Sequence, residues 1–324
     1  MKLRTIGLIS TLALGLLAAP LPVEAQQAGK VHRIGYLSSR YYQEAFRQGL
    51  RELGYIEGKN LVIEWRFVDS KRKRRGKLAA ELVKLKVDCI LSATAASTRA
   101  AKKATRTIPI VMGSGDDPVR HGFVVSLVRP GGNITGLTSL SSALAGKRLE
   151  FLKEAFPHIS RVGVLWDPSR GGSEVNFKQT ENAARALGVK LESLEVQRPY
   201  DLEKAFRAAV NWRAEGLIVM GRGMGGRRRL AQLAELAAKH RLPAMYSLQR
   251  YVIAGGLMSY APNRHDLYRR AATYVDKILK GANPGDLPVE RPTKFDLLIN
   301  LKAAKQLDVT ISPEMLYRAT KVIK

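Results

Sequence analysis

The run Gly221-Arg222-Gly223-Met224-Gly225-Gly226 follows an apolar stretch and precedes a helical one. That spacing is the dinucleotide-binding pattern, in which backbone N–H groups at a helix start meet a pyrophosphate. The pattern also needs an acidic residue about 20 positions on to hold the ribose. Here that stretch is Leu242-Pro243-Ala244-Met245-Tyr246, which has none, and the run lies late in the chain instead of in its first strand-to-helix turn. It therefore reads as a glycine-rich loop whose Arg222 is available to an anionic group. Asp116-Asp117 is an adjacent carboxylate pair; neighbours in sequence seldom face one site, so one is expected to bind and the other to cap or stay solvated. Gly113-Ser114-Gly115 lacks the Gly-x-Ser-x-Gly elbow of a serine nucleophile. His32, His121, His158, His240 and His265 have no partner at zinc-ligand spacing. Cys89 is the single cysteine, lies within Val87-Asp88-Cys89-Ile90-Leu91 and reads as a core residue, so no intrachain disulfide can form. These residues point to no catalytic group, no metal and no cofactor.

The elements that position them form one pattern written twice. Strand Arg33–Leu37, helix Glu44–Leu53 closed by Gly54, strand Asn60–Phe67, helix Lys77–Lys86, strand Val87–Leu91, helix Ser97–Thr105 and strand Ile108–Met112 make the first copy, with Asn133–Leu137 as one more extended segment. The second copy runs through strand Arg161–Leu165, helix Asn176–Leu187 closed by Gly188, strand Lys190–Val196, helix Leu202–Val210, strand Gly216–Met220, helix Leu230–His240 and strand Leu242–Tyr246. Gly35 and Gly163 lie 128 positions apart, and Pro109 and Pro243 lie 134 apart, so the copies keep nearly one offset. Strands alternating with helices predict two doubly wound parallel-sheet α/β lobes.

Ligands of open α/β sheets bind beyond the carboxyl ends of the strands. The residues just after each strand are therefore the candidate ligand contacts: Ser38, Ser92, Thr94, Ala95, Ser114, Asp117, Asp167, Gly221, Arg222 and Tyr246. Ser92-Ala93-Thr94-Ala95-Ala96-Ser97 offers hydroxyls and helix-start N–H donors to a carboxylate, or serves only to cap its helix. Asp117 or Asp167 would pair with an ammonium group. Tyr246, Trp166 and Tyr36 would supply an aromatic wall, with Tyr36 and Trp166 equally readable as core.

The N-terminus has a basic head, Met1-Lys2-Leu3-Arg4, an apolar stretch from Ile6 to Leu21, and Val23-Glu24-Ala25 as a small-residue exit. This order is that of a cleavable signal peptide over residues 1–25; Pro20 and Pro22 cut the run short of a membrane span. The net charge is +26, and loss of Lys2, Arg4 and Glu24 would leave +25. Such a surface attracts anions. The densest runs, Lys71–Arg75 and Arg227–Arg229, have no interleaved aromatics and no DNA-binding motif beside them, so they read as solvated helix starts and no nucleic-acid partner is expected.

Several segments resemble one family. They are Glu44-Ala45-Phe46-Arg47-Gln48-Gly49-Leu50-Arg51-Glu52-Leu53-Gly54-Tyr55, Thr107–Met112, Asp117-Pro118-Val119, Arg129-Pro130-Gly131-Gly132-Asn133-Ile134-Thr135-Gly136, Ala237–Tyr246 and Gly255-Gly256-Leu257-Met258-Ser259-Tyr260. Over nearly all of the chain from Arg33 onward the sequence is similar to ABC-transporter substrate-binding proteins related to tryptophan/tyrosine uptake components. The resemblance implies a type I periplasmic-binding-protein fold of two lobes with three crossing segments and a ligand clamped by hinge closure. It divides the chain into lobe 1 at 26–137 plus about 262–296, and lobe 2 at 138–261 plus about 297–324. It also implies a monomer in the periplasm that performs no chemistry, binds an amino acid or related small polar or aromatic compound, and delivers it to an ABC permease in the inner membrane. Ser92, Thr94, Ser114, Asp117, Asp167 and Tyr246 would face the ligand by the same resemblance. A ligand-sensing module that signals to a membrane receptor would use the same fold.

Overall fold

The computed structural model describes residues 30–68, 74–139, 142–169, 172–198, 201–221 and 227–324. The segment read as a signal peptide lies outside them, as do Lys71–Lys73 and, from the glycine-rich loop, residues 222–226, Arg222 among them. From His32 onward the chain forms one compact unit. None of its described helices is long and apolar enough to cross a membrane.

The first sheet carries β1 (His32–Ser38), β2 (Leu61–Phe67), β3 (Cys89–Ser92), β4 (Ile110–Gly115) and β5 (Ile134–Thr138) in the order β2-β1-β3-β4-β5. Helices α1 (Gln43–Glu52), α2 (Arg75–Lys84) and α3 (Ala95–Ala104) connect the first four strands. All pairings are parallel, as crossover helices require. Central strands β3 and β4 are buried along their whole length, which explains why they read as unbroken apolar runs. Cys89 sits there, fully buried, and burial pushes its thiol well above the ordinary range.

The second sheet is built from α4 (Ala145–Ala155), β6 (Arg161–Trp166), α5 (Ser173–Ala186), β7 (Lys190–Glu195), α6 (Asp201–Asn211), β8 (Gly216–Val219), α7 (Arg227–Lys239), β9 (Ala244–Tyr246), α8 (Gln249–Ile253) and β10 (Met258–Pro262). After β10 come α9 (Arg264–Leu279), β11 (Phe295–Asn300), α10 (Leu301–Leu307), α11 (Pro313–Arg318) and β12 (Lys321–Ile323). The strand order is β12-β11-β10-β9-β8-β6-β7. Each sheet has an apolar core on both faces, so the molecule is a two-lobed doubly wound α/β protein. The strand–helix alternation predicts parallel pairing throughout, and β11 departs from it by running antiparallel to β10. The cause is the route of the chain. After β10 it leaves the second sheet, and α9 packs its Leu267, Tyr268, Ala271 and Val275 into the core of the first sheet. Glu290 then bridges to Leu137 at the end of β5. The chain therefore re-enters the second sheet from its strand-end side, and β11 runs the opposite way.

Three passages join the sheets: Thr138 to Ala145, Pro262 to Arg264, and Glu290 to Phe295. Helix α9 is the element that ties them to the strand ends. Its N-cap Asn263 accepts a bond from the Asp266 N–H at 2.9 Å and donates to Asp296 at the head of β11.

Candidate functional site

The strand ends of the first lobe meet the first two turns of α9. Arg264 and Tyr268 are four residues apart and so share one helix face. Arg264 Nη1 donates to Ser114 Oγ at 2.5 Å at the end of β4, and Tyr268 Oη lies 3.0 Å from Ser38 Oγ at the end of β1. Two expected site residues, Ser38 and Ser114, are thus buried and brought together by one helix. Tyr42 stacks on Tyr268 with centroids 4.6 Å apart, while Tyr41 and His265 pack against Tyr42. Tyr41 is half exposed; partial burial pushes its phenol's pKa up, and the Arg250 charge from α8 of the other lobe opposes this. This aromatic group lies beside the strand end at Ser38, apart from the three expected rings.

Ser92, Thr94 and Ala95 form the turn into α3. Ser92 Oγ pairs with Thr98 Oγ1 at 2.8 Å, and Thr94 Oγ1 accepts from the Ser97 N–H at 3.1 Å. Thr94 is therefore a helix N-cap, with half-buried Ala95 as the first helical residue. Thr94→Ala is expected to lower stability by about 1 kcal/mol, read as a shifted urea midpoint with unchanged slope.

The carboxylate pair divides its labour. Asp117 Oδ1 accepts from the Arg120 N–H at 3.0 Å and holds a local turn with φ +21°. Asp116 reaches towards the other lobe: a Cβ placed on Gly172 would stand 3.3 Å from Asp116 Oδ2. Gly172 precedes α5 and gives it no side-chain cap, so the carboxylate meets a helix N-terminus, where negative charge is favoured.

In the second lobe Asp167, at the end of β6, accepts from the Ser169 N–H and hydroxyl. Gly221 follows β8 with its N–H donated to Ser247 Oγ at 2.9 Å and its carbonyl accepting from Tyr251. Packing corrects the expectation for Tyr246 and decides the two readings left open for Tyr36 and Trp166. Tyr246 is fully buried in the core beneath α7 and α8, stacked 5.1 Å from Tyr251, and cannot form a cleft wall. Tyr36 is buried with its hydroxyl on the Ser39 carbonyl, and Trp166 stacks on Phe177 with its indole N–H on Ser193. All three belong to the core.

A charged cluster missed in the sequence lies at the lobe passages. Arg148 of α4 is wholly buried, and its Nε donates to the Tyr260 carbonyl of β10 at 2.9 Å. Burial is the main cause that brings its pKa down to about 10; the Arg264 charge adds to that effect and Asp116 opposes it. No motif announces this group, because its members come from β4, α4, β10 and α9. A depression of about 270 Å³ lined by Glu44, Arg47, Tyr55, Glu57 and Leu61 lies at the opposite, N-terminal end of β2 and takes no part in it. No group of three or more His, Cys, Asp or Glu suited to a metal occurs among the described residues.

The two sheets, the three passages and the facing strand ends define a type I periplasmic-binding-protein-like fold. Residues 38–323 match the family model of ABC transporter substrate binding proteins, and the chain belongs to that family. It is 25% identical over 273 residues to a tyrosine-binding protein of Clostridioides difficile, covering 82% of this chain and 76% of that one. Among solved structures, a conserved domain protein of Vibrio cholerae is 27% identical with a TM-score of 0.81, covering 90% of this chain and 100% of that one. A Streptococcus pneumonia ABC domain in complex with L-Trp also superposes with a TM-score of 0.81 at 23% identity, over 90% and 99% of the two chains.

Proposed function

We propose that this chain is the exported solute-binding component of an ABC importer, and that it carries an amino acid or related small polar or aromatic compound. The observation that carries this reading is the pair of facing strand-end surfaces joined by three passages, in a chain of the substrate-binding family. The tyrosine-binding relative and the L-Trp complex support aromatic amino acids as the first compounds to try. In this reading residues 1–25 direct export to the periplasm, the lobes divide near residues 137, 262 and 296, and the monomer hands its ligand to an inner-membrane permease without chemical change. Ser38, Ser92, Ser114 and Asp167 contribute from the strand ends, and Thr94, Ala95, Asp117 and Gly221 from the adjoining turns.

Closure follows binding because a ligand between the lobes contacts both only when they approach. L-tyrosine or L-tryptophan at a hundred times its Kd is expected to stabilise the folded protein by about 2.7 kcal/mol. A thermal melt would show this as a rise of roughly 5 to 10 °C. A panel of amino acids that leaves the melting temperature flat would sink the reading.

A further inference from the structure

The arginines of this chain are unevenly matched with carboxylates. Half-exposed ones have partners: Arg47 meets Glu57, Arg66 meets Glu81, Arg269 meets Glu52 and Arg318 meets Glu154. Arg264 is far more buried, at 7% exposure, and among the described residues no carboxylate lies within ion-pair reach of it. Asp116, two residues beyond Ser114, acts on Arg148 and approaches Gly172, and two carboxylates beside the ends of the Pro262 to Arg264 passage have other partners. Asp266 is held by Lys294 and Arg270, and Asp296 accepts from Gln249 and Asn263.

Among the described residues the Arg264 guanidinium meets only the neutral hydroxyl of Ser114, and its Nε has no acceptor. A guanidinium offers five donors in a fixed fork and does not lose its proton in proteins. Buried without an anion it is costly, and the nearby Arg148 charge adds repulsion. A ligand carboxylate would supply what Arg264 lacks: two oxygens for the fork and a negative charge beside it. The position is suitable because Ser114 ends β4, and the next residue but one, Asp116, already approaches α5 of the facing lobe.

We propose that Arg264, set beside Ser114, is the anion receptor of the interlobe site and determines that its ligand carries a free carboxylate. This rests on the solute-binding reading and narrows it. Amines and amides of the same ring system are then rejected, because they leave the buried guanidinium unmatched.

Calorimetric titration of the full chain with L-tyrosine, L-tryptophan, tyrosinamide, tyramine and 3-(4-hydroxyphenyl)propionate tests the assignment. The acids are expected to bind roughly 100-fold more tightly than the amide and the amine. Arg264→Met should remove that preference, and Arg264→Lys, which keeps the buried charge but loses the fork, should weaken the acids by about tenfold. Sodium acetate against sodium chloride at equal ionic strength gives a second readout that needs no amino acid. Acetate should raise the melting temperature of the native protein and leave that of Arg264→Met unchanged. If no aromatic compound binds but acetate still discriminates, the amino-acid reading fails and the carboxylate receptor stands. Equal affinity for acid and amine in the native protein, acid affinity within about threefold of native in both variants, or no acetate effect in a protein that binds none of the panel overturns the assignment.

Discussion

Gly49→Val is expected to lower the melting temperature by roughly 6 to 12 °C, the consequence of losing about 3 kcal/mol by overpacking. Gly49 lies on the buried face of α1 with Ala45, Phe46 and Leu50. A Cβ at this position would stand 2.2 Å from the Arg269 carbonyl oxygen and 2.9 Å from the Ala272 Cβ. The obstacle is the backbone of α9, so no rotamer change can relieve it. Nor can α9 retreat at small cost, because Tyr268 is bonded to Ser38 and Arg264 to Ser114. The damage should therefore appear in ligand affinity as well as in stability. Gly76 is the internal control, since it lies exposed in α2 with nothing within 4 Å of an added Cβ. Gly76→Ala should stabilise by up to about 1 kcal/mol through helix propensity. A Gly49→Val melt within a degree or so of the native protein would show that the two helices are not locked at this crossing.

The contrast between these glycines also shows what the sequence makes legible. Apart from α4, the strands and helices up to Tyr246 are readable because their signals are local: apolar runs bounded by turns, stripes at helical spacing, and Gly54 and Gly188 in left-handed conformation just past α1 and α5. The antiparallel β11 is not readable, because its direction is set by where α9 returns the chain and not by its own residues. The candidate site divides the same way. Ser38 and Ser114 are identifiable as strand-end residues, but the groups that hold them come from 230 and 150 positions away. Adjacent Asp116 and Asp117 are visible as a pair, and only the turn geometry at Asp117 decides that Asp116 faces the other lobe. Tyr246 ends a strand like the cleft residues, yet stacking on Tyr251 draws its ring into the core.

Tyr268 is where these long-range contacts converge, and its removal should be the most damaging single change near the site. The side chain is fully buried, stacks on Tyr42, lies against Gly113 and carries the hydroxyl that meets Ser38. Tyr268→Ala opens a cavity in the core shared by α1, α9 and the first sheet, at an expected cost of about 3 to 5 kcal/mol. Tyr268→Phe keeps the ring and leaves the buried Ser38 hydroxyl without that partner, which costs about 1 to 2 kcal/mol. The two variants separate packing from polarity when followed by chemical denaturation and ligand titration together. If Tyr268 acts by packing alone, the phenylalanine variant keeps native affinity and the alanine variant loses it with stability. If the hydroxyl also fixes the end of β1 for the ligand, the phenylalanine variant loses affinity out of proportion to its small loss of stability. The second outcome is expected, because Ser38 ends β1 at the mouth of the site and Tyr268 shares a helix face with Arg264, so one bond sets the spacing between the serine and the cation.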